Sequence, residues 1–286
     1  MSRILIAGCG DVGSALGLRL AAAGHEVFGL RRNAAALPAG IHPVRADLAE
    51  PAALSGLPPS IESVVYLAAA DRYDDAAYER AYVRGPRNLI RALAASSGSL
   101  QRLVFVSSTG VYAQSAGEWV DEDSPTEPLR FSGKRLLEGE RLVRSGPLPC
   151  VVVRFAGIYG PGRNRLQQRV IDGKPCQETP PYYTNRIHRD DCAAVLQHVL
   201  DLGEPSQVYV GVDCEPATQC AVMDWLARRL GVAAPPRIGP RDGVDASRGG
   251  NKRCRNARLL ASGYRFIYPS FREGYARMIA DQDSRG

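Results

Sequence analysis

The sequence predicts an α/β protein, a doubly wound parallel sheet with a smaller C-terminal substrate lobe. Three observations predict it. Strand-like and helix-like segments alternate through the first half of the 286 residues, the pattern of a parallel sheet covered by helices. A glycine-rich turn joins the first strand to the first helix. Beyond residue 156 the alternation loosens into Gly- and Pro-rich stretches at 157–162, 173–181 and 232–251, which suits an irregular lobe.

The elements follow in order. Ile4–Ala7 is a short apolar run of strand length. Val12, Ala15, Leu16, Leu20 and Ala23 then recur at helical spacing, and Gly24 ends that helix. Glu26–Leu30 and Val64–Leu67 read as strands. A helix over 74–97 presents Ala77, Ala81, Leu89, Leu93 and Ala94. Leu103–Val106 is a strand, the acidic and Pro-containing stretch 114–130 a loop, Gly133–Val143 a helix and Cys150–Phe155 a strand. Short helices are expected near Cys192–Leu200 and Val222–Leu230. This organisation places one domain at 1–160 and a second at 161–286, with a helix over 188–200 returning to the first core.

Bulk composition narrows the class. With 45% hydrophobic and 23% charged residues, the chain is an ordinary globular protein. Its apolar runs are too short to span a bilayer. The start lacks the charged, apolar, small-residue succession of a secretory signal, so a cytoplasmic protein is expected. Seven cysteines without C-x-x-C spacing and four scattered histidines predict reduced, mostly buried thiols and no metal site. The net charge is +6, and all of it falls in 151–286, which holds 20 basic and 14 acidic residues. That excess suits either an anionic small molecule or a solvated surface. No basic stripe interleaved with aromatics points to nucleic acid.

Gly8-Cys9-Gly10-Asp11-Val12-Gly13 is the strongest local signal. A G-x-G-x-x-G run between a strand and a helix, at the start of a βαβ unit, is the dinucleotide-binding turn of a Rossmann-type fold. Gly8 makes the tight turn, Gly10 lets the backbone approach a pyrophosphate, and Gly13 lets helix and strand pack closely. The helix N-terminus offers free N–H groups and a positive dipole end. An NAD site places Asp or Glu at the end of the second strand. Here the strand ends in Arg31-Arg32 with no acid, which favours NADP over NAD because guanidinium groups suit a 2′-phosphate.

Further segments resemble the NAD-dependent epimerase/dehydratase superfamily, as an extended or atypical short-chain dehydrogenase/reductase. Val44-Arg45-Ala46-Asp47-Leu48 is similar to its Asp-Leu pair beside the adenine. Tyr66-Leu67-Ala68-Ala69 resembles the strand that lines the cofactor ribose. Val106-Ser107-Ser108-Thr109-Gly110-Val111-Tyr112 resembles the Ser-rich active-site strand, and Arg154–Gly162 the strand leading toward nicotinamide. Arg186–Asp191 is similar to a helix entry of the family. The resemblance implies cofactor contacts at Asp47, Leu48, Leu67, Ala68, Ala69 and Ser107. It also implies a homodimer paired through helices that here would include 74–97 and 133–143.

Catalysis in that family rests on a Tyr-x-x-x-Lys pair with a supporting Ser. Ser108 stands at the Ser position. The register set by Gly133 and Glu140 puts Ser132 where Tyr belongs and Leu136 where Lys belongs, while a shift to Lys134 puts Arg130 at the Tyr position. Tyr82 replaces the Asn of the family's Asn-x-x-Gly helix. A serine hydroxyl ionises far above a phenol, so Ser132 alone is no substitute. Tyr112, Tyr82 or Tyr159 are candidate phenols, with Tyr112 best placed. Arg163 and Arg186 are the candidate contacts to an anionic substrate, out of a group that includes Arg165, Arg169 and Arg189; Asp190 and Asp191 read as helix caps and His188 as structural. Two functions stand: an NADP-dependent oxidoreductase or epimerase-like enzyme with an atypical site, or a non-catalytic NADP(H)-binding redox sensor.

Overall fold

The computed structural model describes residues 1–95, 100–146, 148–202, 207–239 and 250–284. The end of the helix expected over 74–97 and part of the glycine-rich stretch 232–251 lie outside them. The chain divides into two compact units. The first holds Met1–Val111, Thr126–Arg154 and Cys192–Tyr209, and the second holds Tyr112–Pro125, Phe155–Asp191 and Val210–Gly286. The second unit therefore takes in residues 112–125, from inside the stretch 1–160 assigned by sequence to the first domain.

In chain order the elements are β1 (Arg3–Ala7), α1 (Asp11–Ala22), β2 (Glu26–Arg31), β3 (His42–Arg45), β4 (Ser63–Tyr66), α2 (Asp75–Glu79), α3 (Gly85–Ala95) and β5 (Arg102–Ser108). After β6 (Glu118–Val120) come α4 (Phe131–Arg144), β7 (Cys150–Phe155), β8 (Gly157–Tyr159), α5 (Arg165–Ile171), β9 (Cys176–Gln177), β10 (Tyr183–Thr184) and β11 (Arg186–His188). Then follow α6 (Arg189–Asp201), β12 (Val208–Gly211), β13 (Ala217–Thr218), α7 (Gln219–Leu230), β14 (Arg237–Ile238), β15 (Lys252–Cys254), α8 (Ala257–Ala261) and α9 (Phe271–Asp283).

Seven strands form a parallel sheet in the order β12-β7-β5-β4-β1-β2-β3. The central strands read as near-continuous apolar runs because both faces are covered, whereas the edge strand β3 is largely exposed. Ile4, Leu5, Ile6 and Ala7 are all buried, as are Val64, Val65 and Tyr66. One face packs Leu5, Leu30, Val64, Tyr66, Leu103, Phe105 and Val152 into a common core. The strand order reverses between β1 and β4, and ligands of such sheets bind beyond the carboxyl ends at that point.

Three elements of this unit meet at one buried carboxylate. Ser107 at the end of β5 donates from Oγ to Glu140 Oε1 at 2.6 Å. Arg154 on β7 donates from Nε to the same oxygen at 3.0 Å and from Nη2 to Oε2 at 2.7 Å. Glu140, on α4, is 1% exposed. The fork saturates a charge that water cannot reach, and it fixes the height of α4 against β5 and β7.

The second unit is built from short paired strands and helices. β8 pairs with β11, β6 with β15 and β9 with β14 in parallel, while β10 and β13 run antiparallel. Its core gathers Tyr159, Val170, Met223, Trp225, Leu226, Phe271 and Tyr275. Cys176 on β9 and Cys220 on α7 form a disulfide. This corrects the expectation of reduced thiols throughout, since a pairing of cysteines 44 apart in sequence depends on tertiary placement and leaves no spacing signature. Cys9, Cys150, Cys192 and Cys254 are buried and lie outside that disulfide, as does the exposed Cys214.

The stretch 114–130 is not all loop, because β6 lies inside it and pairs with β15. β3, β12, α5 and α9 are elements beyond those read from the pattern. Among the described residues, no helix is long and apolar enough to cross a membrane, and no cluster of His, Cys, Asp or Glu is arranged to hold a metal.

Removing the buried carboxylate strands the Arg154 charge. Glu140→Ala is therefore expected to lose about 3–5 kcal/mol of stability, and Ser107→Ala about 1–3 kcal/mol, by urea unfolding. A loss in Glu140→Ala no greater than the roughly 0.5 kcal/mol of a surface change would contradict the arrangement.

Candidate active site

The turn after β1 is shaped by close backbone packing. Gly8 has φ +89°, and a Cβ there would collide with the backbone of Leu67 and Ala68. Only glycine satisfies both demands. The N–H groups of Gly8 and Cys9 donate to the Leu30 carbonyl at 2.9 and 3.0 Å, and that of Gly10 to Gly8 O at 2.7 Å. A Cβ on Gly13 would lie 3.1 Å from Ile6 Cγ2, which sets α1 directly against β1. At Gly10 a Cβ would meet nothing nearer than Gly8 O at 4.0 Å, so this backbone faces open space.

No side chain caps α1, and the positive end of its dipole lies at that opening. Cys9 Sγ turns inward toward Gly13 and Gly29, and burial pushes its thiol up. Cys9 therefore contributes backbone to the turn. Asp11 is exposed and Val12 buried. Leu67 donates its N–H to Ala7 O at 2.7 Å; Leu67 and Ala68 are half-buried, and Ala69 is exposed. The turn and the end of β4 are thus brought together as one cradle that fits a diphosphate.

A second feature lies at the ends of β2 and β3. Parallel register places Arg31 opposite Arg45. A pocket here is lined by Arg32, Asn33, Ala34, Ala35, Pro43 and Arg45. Arg32 pairs with Asp71 at 3.3 Å while remaining largely exposed, and Arg31 Nη1 reaches Cys9 O at 3.4 Å. Asp47 Oδ1 accepts from the Ala49 N–H at 2.9 Å. Asn88 on α3 holds the same turn by donating to Leu48 O at 3.0 Å. Arg45 and Asn88 were not singled out by sequence; Arg45 lay within a quoted segment, but its register against Arg31 needs the sheet.

The Ser108 turn and the first turn of α4 meet through a glycine contact. Ser108 Oγ accepts from the Gly110 N–H at 3.1 Å. A Cβ on Gly133 would stand 2.5 Å from Gly110 O, so the first turn of α4 lies against the Ser108 turn. Ser107 faces the other way, onto Glu140. Leu136, at the expected Lys position, is buried. Ser132 Oγ lies 3.4 Å from the hydroxyl of Tyr73, a residue sequence reasoning passed over. The chain reaches that point after β4 and before α2. It then continues into a five-residue π-helical segment over Arg80–Arg84, where the Ala81 carbonyl accepts the Tyr66 hydroxyl at 2.6 Å. Burial pushes the Tyr82 phenol up to about 12.

Other expected site residues fall in the second unit. Tyr112 is 4% exposed, and its carbonyl accepts from Lys252 Nζ at 3.3 Å. Tyr159 is buried, stacks on Tyr275 with centroids 4.4 Å apart, and has its phenol pushed up by burial. Arg163 is exposed. Arg186 is buried against Phe271 and donates to the Thr184 carbonyl and hydroxyl. His188 Nδ1 accepts from the Asp190 N–H at 3.2 Å. Asp191 does not act as a simple helix cap. It is fully buried and accepts from Tyr264 Oη, Ile267 N and Tyr268 N at 2.8, 2.8 and 2.9 Å.

Residues 4–209 match the NAD dependent epimerase/dehydratase family. The 3-diazoavenalumate denitrifying reductase of a Streptomyces species is 31% identical over 310 aligned residues, which cover 96% of this chain and 99% of the relative. A Methylobacillus flagellatus structure described as an NAD-dependent epimerase/dehydratase is 42% identical, with a TM-score of 0.82 and 99% of both chains covered. The human epimerase family protein SDR39U1, solved with NADPH, shares the fold at 22% identity, with a TM-score of 0.79 over 95% of this chain and 97% of that one.

One buried group in the second unit gives a pH signature. Burial raises the Asp213 carboxyl to about 7, against the pull of Arg186. Between the ordinary carboxylate range and pH 7 the folded chain thus holds a proton that the unfolded chain releases, so stability falls as pH rises through that window. Asp213→Asn keeps the acceptor for the Glu215 N–H, present at 3.2 Å, but cannot ionise. Its melting temperature is expected to overtake that of wild type at pH 8 and to show less decline between pH 5 and 8. An identical decline in both proteins would remove Asp213 as the cause.

Proposed function

The chain belongs to the NAD dependent epimerase/dehydratase family, and on that premise we propose that it is an NADP-preferring oxidoreductase or epimerase-like enzyme acting on an anionic small molecule. The observation that carries this reading is the open cradle at Gly10 beside an uncapped α1, which fits a dinucleotide diphosphate. The ends of β2 and β3 supply Arg31, Arg32 and Arg45, whose guanidinium groups suit a 2′-phosphate, with Asp71 paired to Arg32 from another segment. Asp47 and Leu48, held by Asn88, would border the adenine, and Leu67 to Ala69 the ribose. When bound, the nicotinamide donates or accepts a hydride.

The chain's own residues orient the reactant. Ser108, fixed by its turn, is available to hold a substrate oxygen, and the neighbouring first turn of α4 closes one side of that position. A relative of similar length that is named a reductase supports the reductive direction. Arg163 and Arg186 remain the proposed anion contacts, with the active form a cytoplasmic homodimer and no nucleic-acid partner. A second reading, a redox sensor that binds NADP(H) without turnover, draws support from Ser132 and Leu136 at the Tyr and Lys positions. The two readings part on whether a proton donor stands near Ser108.

Calorimetry with both dinucleotides tests the cofactor assignment. Each charged contact to a phosphate is worth about 1.5–3 kcal/mol. Replacing Arg32 and Arg45 together by Ala is expected to weaken NADP at least tenfold and to leave NAD within about twofold. An unchanged NADP:NAD ratio would refute the role given to these arginines.

A further inference from the structure

The geometry points to Tyr73 as the phenol that donates and recovers the proton at a substrate oxygen, standing beside Ser132 in place of a tyrosine on α4. This assignment rests on the enzymatic reading above. The two hydroxyls are 3.4 Å apart, a long contact of the kind that tightens when a reactant binds. Ser132 shares the first turn of α4 with Gly133, whose contact with Gly110 brings in the Ser108 turn. A phenol at Ser132 is therefore close to the group expected to hold the reacting oxygen.

Several independent contacts fix Tyr73 there. Its ring packs between Phe131, 4.9 Å away between centroids, and Tyr78 at 5.7 Å. The next residue, Asp74, caps α2 by accepting from the Ala77 N–H at 2.7 Å. Asp75 then receives both arms of Arg135 at 2.8 Å each, one helical turn beyond Ser132. The segment 73–75 is in effect laced along α4 by a hydroxyl pair and a guanidinium fork.

The chemistry favours this phenol over the others. Tyr66, Tyr159 and Tyr275 are buried and Tyr82 half-buried, which pushes each phenol up, and Tyr112 is buried in the second unit. Tyr73 is 36% exposed, so it can regain a proton from water. Nearby, Arg72 pairs with Asp74 and Arg135 with Asp75. The positive end of the fourteen-residue α4 favours negative charge at that position, and the Ser132 hydroxyl can donate to the Tyr73 oxygen. This is the part a lysine would otherwise play.

For carbonyl reduction the balance is simple. The carbon takes two electrons and a hydrogen as hydride from the reduced dinucleotide, the oxygen takes the Tyr73 proton, and water reprotonates the phenolate. The products are the alcohol and the oxidised dinucleotide.

Absorbance at 295 nm during a pH titration of the full chain, with and without NADP, reads phenol ionisation directly. One of the twelve tyrosines is expected to ionise ahead of the rest, a step absent in Tyr73→Phe and moved to higher pH in Ser132→Ala. With NADPH and 4-carboxybenzaldehyde as an anionic carbonyl probe, Tyr73→Phe is expected to slow reduction about 100- to 10,000-fold, with NADPH affinity within twofold of wild type. Identical low-pH titration in wild type and Tyr73→Phe, or undiminished probe reduction by the variant, would overturn the assignment. If NADPH still binds with normal heat in that case, the cofactor site stands and only Tyr73 falls. An absence of heat would remove both.

Discussion

A single buried carboxylate determines where the reactive edge of the first unit can sit. Glu140 takes one hydroxyl from β5 and two guanidinium N–H groups from β7, and α4 cannot slide without breaking all three. Such an arrangement adds little net stability compared with an apolar core, but it is costly to break and tolerates one geometry. Ser108 follows Ser107 directly, and Ser132 lies two turns before Glu140 on the same helix. The positions of both therefore follow from one ionic contact. Gly133 then closes the distance between them, because no Cβ fits against Gly110.

The cofactor end of the unit depends on shape and on a helix start that no side chain caps. Gly8 lets the turn rest on the end of β4, Gly13 seats α1 on β1, and Gly10 leaves the backbone open. The charged end, at Arg31, Arg32 and Arg45, sits one strand away. On the proposed reading, the diphosphate of the dinucleotide lies at the first of these ends and a 2′-phosphate at the second. The first unit holds the cradle, Ser108, Ser132 and Tyr73, and the second holds Tyr112, Arg163 and Arg186.

How much of this was legible in the sequence depended on how local each feature is. β1, the Gly8–Gly13 turn and α1 were readable because all three are coded within twenty residues by periodicity and glycine spacing. β7 was read to its ends for the same reason, as an unbroken apolar run. α9 was passed over although Ser270 and Glu273 spell a capping box, which the structure forms. β6 is three residues in an acidic stretch and exists only by pairing with β15. The Glu140 fork, the disulfide and the Tyr73–Ser132 pair each join residues distant in sequence. Tyr73 is the clearest case: the gap at the Tyr position was visible on α4, but the phenol that stands beside it comes from another element.

On the proposed reading, a nicotinamide dinucleotide binds across the Gly10 cradle and the arginine edge. Hydrogen–deuterium exchange of the full chain with and without saturating NADP tests where it binds. Slowed exchange is expected together in peptides covering 8–14 and 31–48, with little change over α7 and α9. Protection confined to the second unit, or none anywhere, would contradict it.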